Sequence, residues 1–330
     1  MLVHGHMPAV SDRTLGRLLV GLALVLVIGV PAFAAFYYFD RHPDPGPSLA
    51  ERAIASAEAA VRAQPADTVA RNALAAAYLR AGRIDDSIAQ FSEVLRLDEE
   101  NRAALLGRGL AYRQEAQPAL ALDDFRALVA LATGGEMAHV DPQLEQAYYE
   151  IGVIQLEQGD ATAATSALEA ALRIDGGDAD ALYSYGDALI SAGSPDRGVE
   201  ALRRAVAFVP TGWCEPYVRM ADGYRALSVP GGVAYATAMA AFCNGQPAEA
   251  TATLETLQQG PFAIDAWLGL ALVSASQGDP QAAAGFYAKV LAQDPENTSA
   301  LIGLGQLGGS DAHAGLATPV PSLPAVSAAP

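Results

Sequence analysis

Carboxylates, histidines and cysteines are the side chains here with chemical potential, and their spacing decides what chemistry is open to them. Asp85–Asp86 and Asp123–Asp124 are adjacent acidic pairs. General acid–base work needs two carboxylates in different environments, one of them held protonated. These pairs instead read as the openings of second helices in helix pairs, where negative charge complements the exposed amides and the macrodipole. His4 and His6 stand in a terminal tail, His42 in a proline-broken spacer, and His139 in a loop beside Glu136 and Asp141. None has partners at the spacing of a metal site, and His139 reads as part of a solvated loop. The motifs G-x-S-x-G, H-E-x-x-H and G-x-x-x-x-G-K-[ST] are missing, and Gly107-Arg108-Gly109 sits inside a helical pattern where it serves close packing. No catalytic, cofactor-binding or metal-binding residue is assigned, and the chain is not expected to be an enzyme.

Cys214 and Cys243 are the only cysteines. That number excludes a disulfide-dense scaffold and a four-thiolate metal site, and neither lies in a C-x-x-C or haem-attachment context. A disulfide clamping two adjacent helices and two separately buried thiols both remain open.

The elements that must position these residues follow from composition and period. The chain has 330 residues, 52% apolar and 17% charged, with a formal charge of −17 and a single lysine, Lys289. It is too apolar for an acidic disordered chain and too acidic for a general nucleic-acid binder. Residues 18–39 carry no charge, and 22 residues at about 1.5 Å each would reach across a hydrocarbon core of about 30 Å. Two readings of this run stay open. One is a transmembrane anchor with Arg13 and Arg17 inside. The other is a signal peptide cleaved after Ala32-Phe33-Ala34. The expected organisation is a cytoplasmic tail (1–17), a transmembrane helix or signal anchor (18–39), a linker (40–47), an ordered helical array (48–307) and a disordered Ala/Pro-rich tail (308–330).

A period of 34 residues runs through the array. Ala75, Tyr78 and Phe91 recur as Gly109, Tyr112 and Phe125; Gly152, Ala164, Leu168 and Ala171 recur as Gly186, Gly198, Leu202 and Ala205. Trp267, Leu270, Ala271, Gly278, Ala283, Tyr287 and Pro295 keep the same pattern. These residues resemble the tetratricopeptide repeat, whose signature is aromatic-x₂-Leu-Gly-x₂-Tyr…Ala-x₃-Phe…Pro. The units are 68–101, 145–178, 179–212 and 264–297. The resemblance implies an all-α solenoid of antiparallel helix pairs, here preceded by a single N-terminal transmembrane helix. Small residues at Ala75, Gly109, Gly152, Gly186 and Ala271 would let paired backbones approach. Ser48–Ala63 and Thr298–Leu307 read as end helices. Two places depart from the period. Gly109 and Gly152 stand 43 residues apart, nine more than the period, around TGGEMAHVDP. The register also breaks across 213–261, where an orphan helix or a degenerate unit is expected.

In this family the first helix of each pair lines a concave face. Carried over position by position, that face takes Asn72 and Arg80, then Arg113 and Gln114, then Tyr149, then Tyr183 and Asp187, as candidate peptide-binding residues. Arg80 and Arg113 would fork onto a carboxylate, and the tyrosines offer rigid contact area. The expected partners are a protein or peptide on this face and a lipid bilayer through 18–39, with no nucleic acid and no cofactor. The expected function is a membrane-tethered interaction scaffold in the cell envelope: single-pass in a bacterial inner membrane, with the repeats on the periplasmic side. That arrangement also resembles the apocytochrome-binding subunit of bacterial cytochrome c maturation, which would imply a biogenesis factor presenting apocytochrome. A permanent subunit of an envelope or secretion complex is the other alternative.

Overall fold

The computed structural model describes residues 21, 23, 25–41, 48–209 and 211–307. The tail 1–17, residues 18–20, 22 and 24 of the apolar run, residues 42–47 of the linker and the segment 308–330 lie outside the described residues.

The membrane expectation is corrected. The described part of the apolar run is a π-helical stretch, Val25–Gly29, followed by α1, Val30–Arg41. Among the described residues no helix is long and apolar enough to cross a membrane. The transmembrane helix, the bilayer as a partner, the inner-membrane and periplasmic placement and the envelope tether all rested on that span, and they fall with it.

The chain divides into two compact units, residues 1–83 and 84–330. In the first, α2 (Leu49–Ala63) opens on a capping box: the Glu51 amide donates to Ser48 Oγ while the Ser48 amide donates to Glu51. Asp67 caps α3 (Thr68–Arg80). Ile54 of α2 packs against Leu74, Ala77 and Tyr78 of α3, and the Tyr78 hydroxyl reaches Glu58 Oε1 at 2.9 Å.

The second unit opens with α4 (Ile84–Leu97) and continues as α5 (Arg102–Gln114), α6 (Pro118–Ala132), α7 (Pro142–Glu157), α8 (Ala161–Ile174), α9 (Ala179–Ser191) and α10 (Pro195–Phe208). Each helix packs on its chain neighbours, so the apolar stripes that no pair can bury alone form a continuous core. Between α6 and α7 the nine-residue insertion forms a loop with a single 3₁₀ turn, Ala138–Val140. Gly186 shows why the pairs need small residues. A Cβ there would lie 2.7 Å from Leu202 and 2.9 Å from the Gly198 carbonyl, so α9 and α10 touch backbone to backbone. The acidic pairs part company. Asp85 and Asp86 lie in the first turn of α4. Asp123 and Asp124 sit a turn deeper in α6, and Asp124 is buried. The dipole reading fails for this second pair because Pro118 starts the helix earlier.

Beyond α10 come α11 (Glu215–Ala226), α12 (Pro230–Cys243), α13 (Pro247–Thr256), α14 (Ala263–Ser276), α15 (Pro280–Gln293) and α16 (Thr298–Leu307). The register break is an extra helix. Within each pair of this unit, a residue with positive φ closes the first helix with a repeated pair of backbone bonds. Gly159 donates to Leu156 and Asp160 to Gln155; Gly193 donates to Ile190 and Ser194 to Leu189. The same turn joins α11 to α12 through Ser228 and joins α12 to α13 through Gly245. Thus α12 is the second helix to α11 and the first to α13, and the period restarts at α13. Cys214, at the N-cap of α11, and Cys243, the last residue of α12, form a disulfide with their Cα atoms 5.5 Å apart. The bond closes the end of this pair opposite the Ser228 turn.

Candidate functional site

The first helices of successive pairs, α5, α7, α9 and α11, also touch one another directly, which makes them the inner row of the second unit. Charged and polar side chains cross between neighbours in that row. From α5, Arg113 pairs with Glu150 of α7 and reaches Glu157 Oε1 at 3.1 Å. From α9, Asp187 pairs with Arg219 of α11, whose Nη2 also donates to Ser191 Oγ at 2.7 Å. Arg102, at the start of α5, pairs with Asp141, the N-cap of α7.

Of the residues named from sequence, five fall on this row: Arg113, Gln114, Tyr149, Tyr183 and Asp187. Asn72 and Arg80 lie on α3 in the other unit, the first half-buried and the second exposed. The structure binds Arg113 and Asp187 into ion pairs with neighbouring helices, so their role in the fold is to fix the row. Gln114 is exposed, and Tyr149 and Tyr183 are half-buried. Tyr183 meets Trp213 edge to face at 5.2 Å, which holds its ring in one orientation.

The electrostatics follow from burial. Burial pushes the Glu150 carboxyl up, with Arg113 pulling against it. Burial, followed by the charges of Asp180 and Glu150, raises the Tyr149 phenol, and burial with Asp187 raises Tyr183. Glu145 on α7 is pushed up to about 7, first by burial and then by Asp178 and Asp175 at the α8–α9 turn. Among the described residues no group of three or more His, Cys, Asp or Glu is placed to hold a metal ion.

The sequence reading stopped at Asp187 and missed the next constellation. Arg203 of α10 donates from Nη2 to Asp265 Oδ1 on α14 at 2.7 Å and from Nη1 to the Tyr224 hydroxyl at 3.2 Å. Tyr217 and Tyr235 lie alongside, and a cavity of about 380 Å³ opens between α10, α11, α12, α14, α15 and α16. The closely spaced tyrosines 217, 224 and 235 inside the irregular region were the available signal.

A tetratricopeptide repeat model matches residues 155–221, and a second matches 48–93, 72–136 and 235–298, together well over half of the chain. No curated protein matches the sequence. Among solved structures the chain is similar to YrrB, described as a tetratricopeptide repeat protein with an unusual peptide-binding site, at 16% identity over 60% of this chain and 97% of that one, with a TM-score of 0.50. It is also similar to the C-terminal part of a repeat protein from Cytophaga hutchinsonii (17% identity, 77% and 94% covered, TM-score 0.49) and to MamA (23%, 55% and 94%, 0.48). At 16% identity the likeness to YrrB shows the fold alone. The expected likeness to an apocytochrome-binding subunit is corrected. What matches is the general repeat over 48–136, 155–221 and 235–298, with nothing specific to cytochrome c maturation.

Proposed function

We propose that this chain, which belongs to the tetratricopeptide repeat family of non-catalytic scaffolds, is a protein–protein interaction module whose inner row, from α5 to α11, holds an extended segment of a partner. The observation that carries this reading is the set of cross-links between first helices. Arg102 with Asp141, Arg113 with Glu150, and Asp187 with Arg219 fix one face before any partner arrives. A pre-organised face loses less entropy on binding. It presents Gln114 with Tyr149 and Tyr183, an adaptable amide beside two stiff amphipathic rings. Asn72 and Arg80 offer the same kind of contact on their own unit.

The chemistry of the partner follows from charge. With −17 over the chain and the row's arginines already paired, the long-range field favours a basic segment and speeds its arrival at low salt. In titrations against the partner, Tyr183→Ala is expected to weaken binding by roughly tenfold or more. Arg126→Ala, on the second helix α6, is expected to leave it unchanged. The reverse pattern overturns the reading.

A further inference from the structure

The cavity beside Arg203 lies where the extra helix joins the array. Regular stacking would fill the space between one inner-row helix and the next. Where α12 serves two partners the phase slips, and α10, α11, α12, α14, α15 and α16 leave about 380 Å³ between them. That is about two and a half times the roughly 150 Å³ apolar cavity that suffices for benzene. It also falls within the range of small-ligand sites, which are mostly apolar with a few convergent polar groups.

The walls are chiefly Val206, Leu268, Leu272 and Ile302 with the rings of Tyr217 and Tyr235. Among the residues lining it only Arg203 and Asp265 carry charge. They are unequal: the Arg203 side chain is 42% exposed, Asp265 only 12%. Two of the guanidinium's five N–H donors are committed in the bonds to Asp265 and Tyr224, leaving others for a ligand. The Tyr217 and Tyr235 phenols are protonated at neutral pH in their ordinary range, and burial raises both further. The accessible charge is positive, planar and set in an apolar wall. An ammonium would sit against it, whereas a carboxylate matches its fork.

We propose that this cavity binds a small apolar monocarboxylate, its hydrocarbon or aromatic body between Leu268, Leu272 and Ile302 and its carboxylate on Arg203. The site shares only Tyr217 of α11 with the inner row and goes beyond the partner-binding reading: either can fail without the other.

The test uses the full-length chain and calorimetric titration with 3-phenylpropionate, 3-phenylpropionamide and 2-phenylethylammonium. The acid is expected to bind one to one, and the amide roughly tenfold more weakly. The ammonium is expected to give no heat. Ala207→Trp, which places a large side chain in the cavity wall, should abolish binding. Arg203→Met should remove the acid's advantage while leaving the amide as before, an outcome that general loosening of the fold would not give. If Arg203→Met does not fold, the charge-neutral double variant Arg203→Met/Asp265→Leu carries the same comparison. Equal affinity for acid and amide, no binding by any probe, or full binding by Ala207→Trp overturns the proposal. A peptide ending in a free phenylalanine carboxylate that binds more tightly than 3-phenylpropionate also overturns it, assigning the cavity to a polypeptide end.

Discussion

Arg108 and Asp124 meet as two parallel hydrogen bonds inside one helix pair, Nε to Oδ2 at 2.8 Å and Nη2 to Oδ1 at 2.7 Å, with Arg108 Nη1 also donating to Ser92 at 3.1 Å. The aspartate side chain is 7% exposed and the arginine 22%. The arginine bridges α4 and α6 from its place on α5, so this fork ties three helices together.

Removing one partner of such a pair is far worse than removing both. Asp124→Ala strands a guanidinium among buried groups, and a loss of about 3–5 kcal/mol is expected. Arg108→Met/Asp124→Leu should recover most of it, because desolvation offsets much of the pair's Coulomb gain. Urea unfolding of both variants checks this, and equal losses would contradict it.

Gly186→Ala tests the backbone contact between α9 and α10. The added methyl would lie 2.9 Å from the Gly198 carbonyl, an atom that cannot rotate away. The expected loss is about 1–3 kcal/mol, as for other overpacked cores. Gly134→Ala, with open space around the same atom, is the control and should change little.

The Cys214–Cys243 bond closes 29 residues of sequence separation around α11 and α12. Constraint of the unfolded chain over such a loop is worth about 3.6 kcal/mol, so Cys214→Ser/Cys243→Ser is expected to lower the thermal midpoint markedly. A reductant should reproduce that shift in the parent chain and do nothing to the double variant.

Stability should also respond to pH through Glu145. Its carboxyl is pushed up to about 7 by burial and by Asp178, Asp175 and Glu150, against an ordinary 4.5. The folded state then binds the proton more tightly than the unfolded one. The stability this group contributes is full below the ordinary value and is lost as pH rises through about 7. Glu145→Gln fixes the neutral form. It should match the parent near about pH 4.5 and exceed it near about pH 8. A parent no less stable than the variant at the higher pH would contradict the assignment.

Much of the fold was legible because the repeat writes its packing into single residues. Gly152 and Gly186 stand 34 apart since each must let a partner helix close, and Tyr112 with Phe125 mark the same interfaces one unit earlier. The extra helix was legible only as one of two readings, an orphan helix or a degenerate unit. Its turn uses Ser228 in a left-handed conformation where glycine is the usual sign, and Ala116 disguises the α5–α6 turn in the same way. The apolar run at 18–39 misled in the other direction: among the described residues it forms no helix long and apolar enough to cross a membrane. At the candidate site, the resemblance to the repeat family put Tyr149, Tyr183 and Gln114 on first helices. It offered no sign that Arg113 and Asp187 are taken by helices 37 and 32 residues further on. Arg203 and Asp265, 62 residues apart, were invisible for the same reason.

The central claim is that the inner row of first helices is the partner-binding face. It is tested most directly by site-specific photocrosslinking, with p-benzoylphenylalanine placed in turn at Gln114, Tyr149 and Tyr183 and, on the second helix α6, at Arg126 and Leu131. A partner joined from the three inner positions, and from neither position on α6, is the predicted result. Crosslinking from α6 alone would contradict the account and move the binding surface to the second helices.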